Sequence, residues 1–205
     1  MGVSVDVRVN IDVSKLTGGT TEAGAIESTA VSQGMEFCYG MSEAEMNLRL
    51  AIVVRKKLLE HGFDVLMIRN WPDVQLDNVA RTVIANNTAD IHIALHFDSD
   101  GLSYDKGVFY CGMPSQLQYL PHIADNYMES ERLGISIVNA FEKDGNILFK
   151  KGRLELDLTT TSYATIPTAV VELGNQHTIL TVQRLESIAH SLCTGVQSFF
   201  ANSTI

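Results

Sequence analysis

Leu76-Asp77-Asn78-Val79-Ala80-Arg81-Thr82-Val83-Ile84-Ala85-Asn86-Asn87-Thr88-Ala89-Asp90-Ile91-His92-Ile93-Ala94-Leu95-His96 is the stretch whose reading decides the fold. Leu76 to Asn87 carries a helical pattern. Ala89 to Phe97 follows as a run apolar enough for a central, parallel strand. A helix feeding straight into a buried strand is half of a βαβ unit, so the chain predicts an α/β sheet. That strand reaches a histidine at its carboxyl end. A second apolar run, Pro167-Thr168-Ala169-Val170-Val171-Glu172-Leu173-Gly174, reaches a glutamate in the same way. Burial asks for neither residue there, and the carboxyl edge of an open α/β sheet is where ligands and metals bind.

The flanking sequence extends the same architecture. Val3, Val5, Val7, Val9 and Ile11 alternate with polar residues, which predicts a strand with one buried face over residues 3–12. The Gly/Thr/Ser-rich stretch from Val13 to Gly40 reads as a long loop, and loops of that length in compact domains are commonly functional. Ser42-Glu43-Ala44-Glu45 has the Ser-x-x-Glu capping-box form. It opens a helix whose apolar stripe is Met46, Leu50, Val53 and Val54 and which stops at Gly62. Strands are expected at Phe63–Ile68, Gly107–Cys111 and Thr168–Glu172. Further helices are expected at Glu129–Phe141 and Val182–Phe200, the first of them inside a segment, Met113–Leu156, of mixed character. The expected whole is one α/β domain over residues 1–205: a mostly parallel twisted sheet with helices on both faces.

Composition narrows the partners. The 205 residues are 45% apolar and 19% charged, enough for a sizeable core, and the net charge of −9 argues against nucleic acid or an anionic membrane as partner. Cys38, Cys111 and Cys193 are widely spaced, with neither a zinc-module pattern nor the even count of a disulfide framework. No apolar run is long enough to span a bilayer. The amino-terminal residues read as a strand rather than a signal peptide. The expectation is synthesis in the cytoplasm, or origin as one domain of a longer exported protein.

The residues that carry chemistry are Glu43, His96 and Glu172. A catalytic zinc takes about three protein ligands from His, Glu or Asp and leaves a position for water. A carboxylate outside the ligand set then takes the proton from that water. Glu43, at the first turn of its helix, and His96 suit the ligand role, and Glu172 suits the base. Each has a plainer reading. A glutamate at a helix start also serves the capping box and the macrodipole, and a strand-end histidine is commonly a hydrogen-bonded structural residue. Glu172, following Ala-Val-Val, is harder to explain by structure alone, because a buried carboxylate is costly unless paired.

The order of motifs resembles the catalytic domain of zinc-dependent N-acetylmuramoyl-L-alanine amidases. It is carried by Ile11-Asp12, Gly18-Gly19, Gly24-Ala25, Gly40-x2-Glu43, Arg81-x3-Ala85-Asn86, Ala89-Asp90, His96, Gly107 and Pro167-x-Ala169-x2-Glu172-x-Gly174. The resemblance implies hydrolysis of the amide between N-acetylmuramic acid and L-alanine in peptidoglycan or a muropeptide. It implies zinc as cofactor, Glu43 and His96 as ligands, and Glu172 as the catalytic acid/base. The family's first histidine ligand has no counterpart: the matching position is Thr17 or Lys15, and no histidine precedes His61. Candidates to replace it are Cys38, Asp12 and His177, with His122 a further histidine in the mixed segment. The absent ligand motivates a competing expectation, an amidase fold that binds peptidoglycan or a protein and catalyses nothing. With no wall-binding repeats in view, the chain resembles a phage-type or mother-cell lysin acting on the cell wall.

Overall fold

The computed structural model describes residues 2–7, 17–20, 27–29, 34–72 and 76–202. Six strands form one open, mixed sheet: β1 (Gly2–Val7), β4 (Asp64–Met67), β5 (Ile91–Asp98), β6 (Val108–Gly112), β7 (Leu148–Glu155) and β8 (Thr168–Asn175). Their order is β4-β1-β5-β8-β6-β7. The pairs β4–β1, β1–β5 and β5–β8 are parallel, as expected of the central apolar runs. β6 then runs antiparallel to β8 and parallel to β7, so two strands at one side point the other way.

Alternation along the two central strands divides the core. Ile91, Ile93, Leu95 and Phe97 of β5 join Ala169, Val171 and Leu173 of β8 on one face. Covering that face are α1 (Glu43–Glu60), α4 (Tyr127–Lys143) and α6 (Val182–Ala201). Ala94 and Val170 face the other way, into a smaller cluster with Phe109 and Cys111. On that side lie α2 (Asn78–Thr88) and the single-turn α5 (Thr159–Ser162), while the equally short α3 (Pro121–Ala124) leads into α4. His96 and Glu172 belong to this second set. They differ from Ala94 and Val170 in standing nearer the carboxyl ends of their strands, two residues before the end of β5 and three before the end of β8.

Local chemistry explains where the helices begin. Ser42 caps α1 by accepting a hydrogen bond from the Glu45 amide at 3.2 Å, and Asp77 caps α2 through the Ala80 amide at 2.7 Å. Arg81, four residues on, donates its Nε to the Leu76 carbonyl.

Two expectations need correction. The stretch over Val13–Gly40 is not wholly loop: β2 (Thr17–Thr20) and β3 (Glu27–Thr29) pair antiparallel within it. The mixed segment contains β7 as well as α4. It is tied down by Glu131, whose carboxylate receives a bidentate Arg153 (2.7 and 2.9 Å), the Tyr110 hydroxyl (2.7 Å) and the Met113 amide (3.2 Å). For the expected strand over residues 3–12, β1 covers Gly2–Val7 and residues 8–12 lie outside the described residues.

Candidate active site

Glu43 is the first residue of α1 and is only 2% exposed. A carboxylate buried that deeply needs donors, and Met35, Asn47 and Phe97 supply them. Oε2 accepts from the Met35 amide at 3.0 Å. Oε1 accepts from Asn47 Nδ2 and from the Phe97 amide, each at 3.2 Å, and lies 3.2 Å from His96 Nδ1. The Glu43 amide in turn donates to the Met35 carbonyl at 2.8 Å. A helix start favours a carboxylate, and this one points back onto the end of β5, at His96 and Phe97.

Glu172 completes the group through the sheet. It pairs in register with His96 across β5 and β8, and neighbouring strands lie about 4.8 Å apart. A cavity of about 250 Å³ opens here, lined by Glu43, His96 and Glu172 together with Gly34, Asp98 and Ser99 among others. The three residues singled out from sequence are brought to one cavity by α1, β5 and β8.

The substitutes for the third ligand fare differently. Cys38 and His177 engage each other, with Sγ 3.3 Å from Nδ1, and neither is among the described residues lining the cavity. Asp12 and the side chain of His122 lie outside the described residues. Among the described residues, no three His, Cys, Asp or Glu side chains are grouped so as to hold a metal ion. His92 is fully buried on the same strand. His61 ends α1 with Nδ1 2.8 Å from the Lys57 carbonyl.

Several site residues escaped the sequence reading. Asn47 is fully buried, and its Nδ2 joins Glu43 Oε1 to the Leu95 carbonyl (2.9 Å), locking α1 to β5. Gly34 passes so near the Glu43 carboxylate that a Cβ there would lie 2.2 Å from Oε2. Lys106 is 7% exposed and donates to Asp98 at the cavity wall and, at 2.9 Å, to Asp100. Its ammonium also sits 4.4 Å from the Phe149 ring centroid and 4.9 Å from that of Phe109. Burial alone would raise the pKa of Asp100, but hydrogen bonds from the Leu102 amide, Lys106 and Asn175 outweigh it and hold the carboxyl below its ordinary value. Burial alone would lower Lys106, and the two aspartates outweigh that and raise it. Only a spacing rule linking Asp98, Asp100 and Lys106 across one loop would have signalled this cluster beforehand.

With this geometry established, residues 9–197 match the N-acetylmuramoyl-L-alanine amidase family. The chain belongs to that family. Its activity is that of a peptidoglycan amidase, and the competing expectation of a non-catalytic binding module is not favoured. Solved structures share the amidase's fold at low sequence identity. The Ami1 amidase of Mycobacterium smegmatis matches at 16% identity and a TM-score of 0.86, over 99% of this chain and 98% of that one. Ami1 of Mycobacterium abscessus matches at 16% identity and 0.82, over 97% and 98%. An N-acetylmuramoyl-L-alanine amidase from Clostridium difficile matches at 16% and 0.74, over 99% and 98%. No curated protein matches. The amidase's family is generally zinc-dependent and acts on the cell wall. Among the described residues no helix is long and apolar enough to cross a membrane.

Proposed function

We propose that this amidase uses Glu172 as its general base and acid, with Glu43 and His96 as two of the ligands of a zinc ion. The observation that carries the reading is one cavity shared by a buried carboxylate–imidazole pair and a second carboxylate in register with the imidazole. Glu43 Oε1 and His96 Nδ1 are 3.2 Å apart, close enough for both to bind one ion at ordinary ligand distances of about 2.0–2.2 Å. These residues fit two corners of a zinc site. Asp12 is the proposed third, since neither Cys38 nor His177 is among the described residues lining the cavity.

When bound, zinc supplies a Lewis acid that polarises the amide carbonyl and acidifies water. The chain's own residues do the rest. Glu172 takes a proton from the attacking water and delivers it to the leaving amine of L-alanine. Asn47 and the Met35 and Phe97 amides hold the Glu43 carboxylate in one orientation, which fixes His96 in turn. Lys106 holds Asp98 against the cavity wall.

The test is metal content and activity measured on the same samples. Protein purified with zinc should carry one ion per chain, and Glu43→Ala, His96→Ala and Asp12→Ala should each lose it together with amidase activity. Full zinc occupancy in Glu43→Ala and His96→Ala would refute the ligand assignment.

A further inference from the structure

Trp71 is 72% exposed, an unusual position for the largest apolar side chain. Its surroundings are built rather than casual. The preceding Arg69 is only 1% exposed, and its guanidinium donates to the Ala44 carbonyl at 2.7 Å and to the Trp71 carbonyl at 3.3 Å. A buried cation thus fastens the Trp71 backbone to the first turn of α1, one residue from Glu43. Pro72 follows and restricts Trp71 to extended backbone.

The loop also lies on the right edge of the sheet. Met67 and Ile93 are both in register with Val5, so the residues just after β4 stand at the same carboxyl edge as His96. β4 and β5 are separated by β1 alone, which spaces them by roughly 10 Å along that edge. A groove of about 430 Å³ begins at Asn70, beside Trp71, with Ile52 and Leu66 exposed within it and Arg55 adding a polar donor.

We infer that Trp71 is a stacking platform for a sugar ring of the peptidoglycan glycan strand, a subsite that positions the muramoyl amide at the Glu43–His96–Glu172 cavity. A pyranose ring offers one face of weakly positive C–H groups, which suits the negative face of an indole, and its hydroxyls suit Asn70 and Arg55. A flat, rigid side chain held by a fixed backbone binds at small entropic cost. The inference rests on peptidoglycan being the substrate.

Trp71 is the only tryptophan, so its emission reads the site directly. The probe is a soluble β-1,4-linked oligomer of N-acetylglucosamine, which lacks the muramoyl–L-alanine amide that the amidase cleaves. Titration should give a saturable shift of emission to shorter wavelength. On intact peptidoglycan, Trp71→Ala should raise KM about tenfold, equivalent to about 1.4 kcal/mol, and change kcat less; Trp71→Tyr should recover most of the loss. Unchanged emission at millimolar oligomer, or a KM for Trp71→Ala within about twofold of the parent, overturns the subsite. An emission response in a protein that leaves peptidoglycan intact would instead fault the catalytic reading while the subsite stands.

Discussion

Asn47→Ala tests whether the fold was built around the Glu43 carboxylate. Asn47 donates to Glu43 Oε1 at 3.2 Å and to the Leu95 carbonyl at 2.9 Å, both in the interior. A hydrogen bond to a charged group is worth about 1.5–3 kcal/mol and one to a neutral carbonyl about 1 kcal/mol. Together they come to roughly 3 kcal/mol. Against this, Asn47 Oδ1 is buried with no hydrogen-bond partner among the described residues, and removing it recovers about 1 kcal/mol of desolvation. The net expectation is a loss of about 2 kcal/mol. For a chain of this size that lowers Tm by about 4–8 °C. Asn47→Asp is the sharper companion: it replaces the donor by a second carboxylate beside Glu43 and should cost more than alanine. Calorimetry and urea unfolding on both variants read the effect, and zinc affinity should fall with stability. A Tm for Asn47→Ala within 1 °C of the parent would refute the reasoning, as would Asn47→Asp being the more stable of the two.

Three further outcomes are expected. Gly34→Ala, which sets a Cβ 2.2 Å from Glu43 Oε2 at a backbone φ of +73°, should displace Glu43 and lose most zinc binding and activity at a stability cost of about 1–3 kcal/mol, checked by metal analysis and calorimetry. Lys106→Met should leave Asp98 and Asp100 without their buried cation and lower stability by about 3–5 kcal/mol in urea unfolding. The pH profile of the same cluster follows from the shifts. Asp100, depressed below its ordinary carboxyl value of about 3.9, contributes stability that is complete above that pH and lost as pH falls through its folded value. Lys106, raised above about 10.4, contributes stability that is complete below that pH and lost as pH rises through its folded value. Urea midpoints from pH 2 to 11, compared with Asp100→Asn, should show the acid limb flattened in the variant.

Much of this was legible beforehand because the central strands and capped helices announce themselves. Ile93–Leu95 and Ala169–Val171 are apolar on both faces, which marks buried parallel strands, and the polar His96 and Glu172 that follow them point to the candidate site. β7 was hidden. Its sequence, Leu-Phe-Lys-Lys-Gly-Arg-Leu-Glu, has no clean alternation, because Lys150, Lys151 and Gly152 all adopt positive φ and interrupt the ladder with β6. Charge and a bulge on an outermost strand discourage pairing with another chain, and they also erase the periodic signal. The reversed direction of β6 leaves no trace in composition at all. At the site, Glu43 carried a cap reading and a ligand reading that sequence cannot separate, since both want a carboxylate in the first turn. Asn47, Gly34 and Lys106 act through contacts set by the tertiary fold. Only Asn47 had a local hint, lying one helical turn after Glu43.

The central claim, that Glu172 serves the amide hydrolysis of peptidoglycan, is tested most directly by counting new alanine N-termini. Purified peptidoglycan is incubated with zinc and either the parent protein or Glu172→Gln, which keeps the shape and removes the base. The parent should release N-terminal alanine steadily. The variant, folded to the same Tm and binding the same zinc, should be slower by about 10²–10⁴-fold, the range of a positioned acid/base. Equal rates from the two proteins would contradict the account.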